Sequence, residues 1–154
     1  MKTEVKAIFI SDVHLGSRGS NANSVLEMLK QYKPEYLFIV GDFIDGWLLK
    51  KRHYWNQDYT NLIRKILKLS KNGTKVIYLT GNHDEFLRQY TPLEFDTNII
   101  IRDEFIWNNY FITHGDFYDG VMNLKWLAHL GSWGYELAIR IDRSIKRLGY
   151  KKSA

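Results

Sequence analysis

Four short polar clusters each follow an apolar run in this chain: Asp12-Val13-His14, Gly41-Asp42-Phe43-Ile44-Asp45, Gly81-Asn82-His83-Asp84, and His114-Gly115-Asp116. Side chains alternate along extended backbone, so Asp12 and His14 fall on one side, where a carboxylate and an imidazole can grip one ion. Asp42 stands after its run as Asp12 does after the first, so the two can share an ion or bridge two. Asp45, three residues on, is placed to orient a neighbouring group. Asn82 offers a neutral oxygen, and His83 can ligate, donate a proton or stabilise developing charge. The chain has no cysteine, which excludes disulfides and thiolate metal sites. Oxygen and imidazole donors suit harder ions such as Mn²⁺, Mg²⁺ or Fe.

The apolar runs read as buried strands over Val5–Ile10, Tyr36–Val40 and Val76–Leu79, each emptying into one of these clusters. Ile99–Trp107 and Tyr110–Thr113 read as two further strands around an Asn108-Asn109 turn. Between the strands, Ser24-x-x-Glu27 matches a capping box, and Val25, Met28, Leu29 and Tyr32 give a short helix closed by Pro34. Tyr59, Leu62, Ile63, Ile66 and Leu69 make a second amphipathic helix that ends at Asn72-Gly73. A β-loop-α-β order predicts a layered α/β fold with right-handed crossovers. Residues 1–116 form its core.

Residues 117–154 differ. They carry no strand pattern and read as two helices broken near Gly131-Ser132, with a Trp133, Leu137, Ile141, Ile145, Leu148 stripe and Arg140, Arg143 and Arg147 on another face. Such a basic, aromatic segment suits either a helical cap or contact with an anionic membrane surface. Its apolar stripe also makes self-association an expectation. The net charge of +5 over 154 residues favours an anionic partner. The basic run Lys50-Lys51-Arg52-His53 and the loop residue Arg18 are the candidates to meet it. With no leader-like start and no bilayer-length apolar run, a cytoplasmic location is expected.

Together the four motifs resemble the calcineurin-like metallophosphoesterase superfamily. Ser11–Arg18, Gly41–Trp55, Gly81–Arg88 and His114–Trp133 resemble, more narrowly, the bacterial UDP-2,3-diacylglucosamine diphosphatase family of lipid A synthesis. The resemblance implies an α-β-β-α sandwich with a helical cap at 117–150. It implies two divalent ions, Mn²⁺ first, with Mg²⁺, Fe or Zn²⁺ as second choices. Asp12 and His14 would hold one ion, Asn82 and His114 the other, and Asp42 would bridge. His83 would stand at the scissile phosphate as proton donor or charge stabiliser, oriented by Asp45. Arg18, Trp47, Arg52, Arg88 and Asn123 would contact substrate.

The implied reaction is hydrolysis at the α-phosphorus, releasing UMP and 2,3-diacylglucosamine 1-phosphate. It takes place in the cytoplasm, with peripheral contact at the inner membrane and no nucleic-acid partner. The family's closing Gly-His-x-His motif has no counterpart here, since His53 and His129 lie in other contexts. The last strands of the second sheet are expected to be missing with it, and each ion keeps three protein ligands when Asp42 is counted twice. Two other readings fit the same residues: a phosphodiesterase on another nucleotide or phospholipid, and a non-catalytic metal- or lipid-binding module.

Overall fold

Continuous apolar runs in strands need cover on both faces, and Tyr36–Val40 of β2 (Tyr32–Val40) and Val76–Leu79 of β3 (Lys75–Leu79) have it. They are the inner strands of a five-stranded sheet ordered β1-β2-β3-β5-β4, where β1 is Thr3–Ile10, β4 is Leu93–Phe95 and β5 is Ile99–Arg102. β1, β2, β3 and β5 run parallel, and β4 lies antiparallel along the outer edge of β5. The computed structural model describes residues 2–95 and 97–118. Residues up to Gly115 form one compact unit, and of a second unit only the helical Asp116–Tyr118 lies among the described residues.

Parallel neighbours require crossovers. The first is α1 (Ala22–Gln31), and the second is the short α2 (Gly46–Lys51) followed by α3 (Gln57–Lys71). Leu26 and Leu29 of α1 and Leu62, Ile66 and Leu69 of α3 share one core with Leu37, Ile39, Val76 and Tyr78 of the sheet. The intervening residues Phe38, Ile77 and Leu79 point to the opposite face and meet Phe105, Trp107 and Ile112. Those three come from a hairpin of β6 (Glu104–Trp107) and β7 (Tyr110–Thr113), a separate two-stranded sheet. Phe38 stacks on Phe9 at 4.6 Å between ring centroids and meets Trp107 at 5.3 Å. The period-two alternation of the strands thus divides a helix-facing core from an aromatic, hairpin-facing one. The mixed α/β expectation holds.

Several boundaries differ from the sequence expectation. α1 begins at Ala22 rather than at a Ser24 cap, because the Ser20 hydroxyl accepts from the Ala22 amide at 3.3 Å and Ser24 lies exposed inside the helix. Pro34 does not close that segment but sits within β2, opposite Val5 of β1 and before β3 pairing begins at Tyr36. Its missing N–H therefore costs no bond to β3, and its carbonyl accepts from the Thr74 hydroxyl at 2.8 Å. The run Ile99–Trp107 is two strands in two sheets. The break is at Asp103, whose carboxylate takes the Thr80 and Thr91 hydroxyls and holds the chain at the corner. α2, β4 and a 3-10 turn at Glu85–Tyr90 had no sequence signal strong enough to announce them. The expected helical cap, 117–150, lies outside the described residues apart from Phe117 and Tyr118. No described helix is long and apolar enough to cross a membrane.

Leu62 is fully buried between the helices and the sheet, whereas Leu67 on the same helix is 52% exposed. Leu62→Ala is expected to lower unfolding free energy by about 2–5 kcal/mol, and Leu67→Ala by far less, in urea titrations.

Candidate metal centre

The carboxyl ends of β1, β2 and β3 do not splay apart but stay laced by backbone bonds. The His14 and Leu15 amides donate to the Asp42 and Phe43 carbonyls at 2.9 and 2.8 Å, and the Asp45 amide donates back to Leu15 at 2.8 Å. Gly41 donates to Leu79 at 2.9 Å, and Gly46 to His83 at 3.0 Å. Asp12, His14 and Asp42 all take left-handed backbone angles, with φ of 54°, 51° and 52°. Val13 and Leu15 sink into the core while Asp12 and His14 stay partly open, so alternation survives the turn. Gly41 and Gly81 are required by crowding. A Cβ at Gly41 would overlap the His114 ring, and one at Gly81 would overlap the Asp42 carboxylate.

Asp42 is the shared member of two acid–imidazole clusters, one with His14 and His83 and the other with Asp12 and His114, whose ligand atoms lie within 4.8 Å of one another. It is buried, and its Oδ1 accepts from the His83 amide at 2.9 Å. Its Oδ2 lies 3.5 Å from His114 Nε2 and 3.9 Å from His83 Nε2. His114 Nδ1 is 3.2 Å from the Val40 carbonyl. In the tautomer that donates there, Nε2 keeps its lone pair toward Asp42, the usual arrangement of a ligating imidazole. Asp45 is also buried and stands between two imidazoles, its oxygens 3.2 Å from His83 Nδ1 and 3.6 Å from His14 Nδ1. It also caps α2 through the Leu48 amide at 2.9 Å.

The donor set fits divalent ions. Three carboxylates and three imidazoles converge with no lysine or arginine among them to neutralise the acids. The Nδ1 atoms of His14 and His83 are buried without a hydrogen bond, near Asp45 but not aligned with it. A cation at this place would answer the unneutralised carboxylates. The clusters group Asp12 with His114 and His14 with His83, while Asn82 sits half-buried beside His83 on the same loop.

The expected substrate residues are dispersed around this centre. Trp47 packs over the His83 ring at 4.3 Å, and its indole N–H donates to Glu85 at 3.2 Å. Arg18 and Arg52 line one cleft beside the Gly16–Gly19 loop. Arg88 Nε donates to the Thr80 hydroxyl at 3.2 Å and lies 3.8 Å from Asp103, part of the framework under the loop. Asn123 lies outside the described residues.

Sequence reasoning assigned no role to Asp84, which is fully buried. Its carboxylate accepts from the Gly81 amide, the Phe43 amide at 2.9 Å and the Tyr78 hydroxyl at 2.6 Å. It therefore pins the loop after β2 to the loop after β3. An aspartate one residue past a candidate catalytic histidine, behind a strand that carries a buried tyrosine, was the available signal.

The calcineurin-like phosphoesterase model matches residues 5–148, a span that takes in every one of these loops. The chain belongs to that family. It is similar to a UDP-2,3-diacylglucosamine hydrolase of Porphyromonas gingivalis, 24% identical over 173 aligned positions that cover 96% of this chain. It spans 66% of the length of that relative. The crystal structure of the Pseudomonas putida nuclease MPE matches with a TM-score of 0.39 and 21% identity, over 66% of this chain and 50% of the nuclease. The four-motif resemblance is thus borne out at the level of the family.

Burial, and then the neighbouring Asp84 charge, push the Tyr78 phenol well above its ordinary value of 10.0. A raised acid keeps its proton in the fold, so its contribution to stability is full below about pH 10 and is lost as pH rises further. Tyr78→Phe is expected to cost about 1–3 kcal/mol at neutral pH and to flatten the alkaline fall in stability. Urea titrations from pH 7 to 11 read both; unchanged alkaline slopes would assign that fall to other groups.

Proposed function

We propose that the chain is a metal-dependent hydrolase of phosphoric esters and that its substrate is UDP-2,3-diacylglucosamine, cleaved to UMP and 2,3-diacylglucosamine 1-phosphate. The observation that carries the chemistry is the buried Asp42 carboxylate shared by two acid–imidazole clusters at the ends of parallel strands. Ligands in open α/β sheets bind at such strand ends. The substrate rests on the name of the Porphyromonas relative. In this reading Asp12, His14, Asp42, Asn82 and His114 hold two divalent ions, Mn²⁺ by first choice. Bound there, such ions supply Lewis acidity toward a phosphoryl oxygen and make water a stronger nucleophile near neutral pH.

The remaining chemistry belongs to the chain. His83 is gripped on three sides: its amide is bonded to Asp42, its Nδ1 faces Asp45 and its ring lies against Trp47. We assign it to proton donation to the leaving oxygen, or to stabilising the charge that develops on it. Asp45 sets the orientation of this ring and, through its second oxygen, of His14. Trp47, 42% exposed, presents an apolar surface to the substrate beside that histidine. The basic, aromatic segment at 117–150 is assigned to contact with the acyl chains and the membrane surface.

His83 also falls in one metal-ligating cluster, so its two roles need separating. Calorimetric titration of metal-free protein with Mn²⁺ is expected to show two sites, both lost in Asp42→Ala. His83→Ala is expected to keep both and to lower kcat for UMP release by about 10²–10⁴. UMP release that survives Asp42→Ala would overturn the hydrolase reading. A site lost in His83→Ala would make that residue a ligand.

A further inference from the structure

Beside the metal-ligating residues lies a cleft of about 450 Å³, walled by Gly16, Ser17, Arg18 and Gly19 on one side and by Leu48, Arg52, His53 and Tyr54 on the other. Three of these side chains are basic, and no carboxylate lines the space. Among the described residues neither the Arg18 nor the Arg52 guanidinium has an ion-pair partner, whereas Arg88 lies against Asp103 and Arg102 against Glu94. Arg18 is held over the Tyr54 ring at 5.6 Å, which orients its fork.

The loop that carries Arg18 is a fixed wall. The Ser17 and Ser20 amides close turns onto the His14 and Ser17 carbonyls, each at 3.0 Å. The Tyr59 hydroxyl of α3 also donates to the Ser17 carbonyl. Gly16, at φ 107°, is pressed against Leu49 of α2, where a Cβ would have no room. Both walls are tied to the centre through the chain. The loop leaves it two residues after His14, and the Leu48 amide is bonded to Asp45.

We propose that this cleft is a second anion subsite, taking a phosphoryl group of the substrate that is not the one attacked. It rests on the hydrolase reading above and narrows it to esters that carry two linked phosphates. Two guanidiniums and an imidazole around one space match an anion with several oxygens, and Arg is the residue suited to such bidentate contacts. The acidic metal-ligating residues alone repel such a group, so in metal-free protein the cleft is the place for it.

The probe is inorganic pyrophosphate, titrated calorimetrically into the metal-free 154-residue chain. Wild type is expected to bind one equivalent. Arg18→Gln combined with Arg52→Gln is expected to weaken binding at least tenfold. Lys68→Gln with Lys71→Gln removes the same charge on α3 and is expected to leave binding in place. No binding by wild type, or equal losses in the two double variants, would overturn the subsite.

A second readout follows turnover with Mn²⁺, comparing UDP-2,3-diacylglucosamine with bis(4-nitrophenyl) phosphate, which has a single phosphate. The ratio of their kcat/KM values is expected to fall about tenfold in the arginine double variant, and an unchanged ratio counts against the subsite. If neither compound is hydrolysed the hydrolase reading fails, while pyrophosphate binding still decides the cleft.

Discussion

Asp84 is the constraint on which the arrangement of this site depends. A carboxylate with no solvent exposure is tolerable only when its lone pairs are met, and Asp84 meets them with two amides from different loops and one phenol from the strand beneath. The two amides belong to Gly81 and Phe43, so the bond network joins loops that are far apart in sequence. Those loops carry His83 and Asp42. Their separation is therefore governed by a buried charge that belongs to neither cluster, and Tyr78 ties the arrangement to β3. Burial raises the phenol's pKa, which keeps the donor a donor across the physiological range.

A second tension is electrostatic. Asp42 and Asp45 are buried close to one another and to the more open Asp12. Backbone amides meet part of the demand, His83 N on Asp42 and Leu48 N on Asp45, and three imidazoles fill the gaps. Burying like charges close together opposes folding. A bound cation would reverse that sign, so metal affinity and fold stability are linked at this site.

The strands and the polar turns at their ends were legible in the sequence because both depend on short-range pattern. β-branched runs that end in Gly-Asp or Gly-Asn announce a strand followed by a polar turn, and the turn residues named themselves. What eluded the pattern depends on partners distant in the chain. The role of Asp84 requires Phe43, 41 residues away. The division of Ile99–Trp107 is held by Thr80 and Thr91 reaching Asp103, and the charged Arg102-Asp103-Glu104 triplet was its one local mark. The α1 start lies at Ala22 with Asn21 as its N-cap, and Ser20 just before it accepts from the Ala22 amide while donating to the Val13 carbonyl at 2.6 Å.

The left-handed backbone at Asp12, His14 and Asp42 has a consequence for how such a chain can change. Side chains with a Cβ are strained there by about 1 kcal/mol each, and three together amount to a visible fraction of the 5–15 kcal/mol that separates folded from unfolded domains. Glycine at any of the three would relieve the strain and erase a candidate ligand. Selection for stability alone would thus drift these positions toward glycine. Their identity as acid and imidazole is a local thermodynamic debt carried against the fold's own preference, and a lineage released from its chemistry would be expected to lose these residues before it lost the sheet.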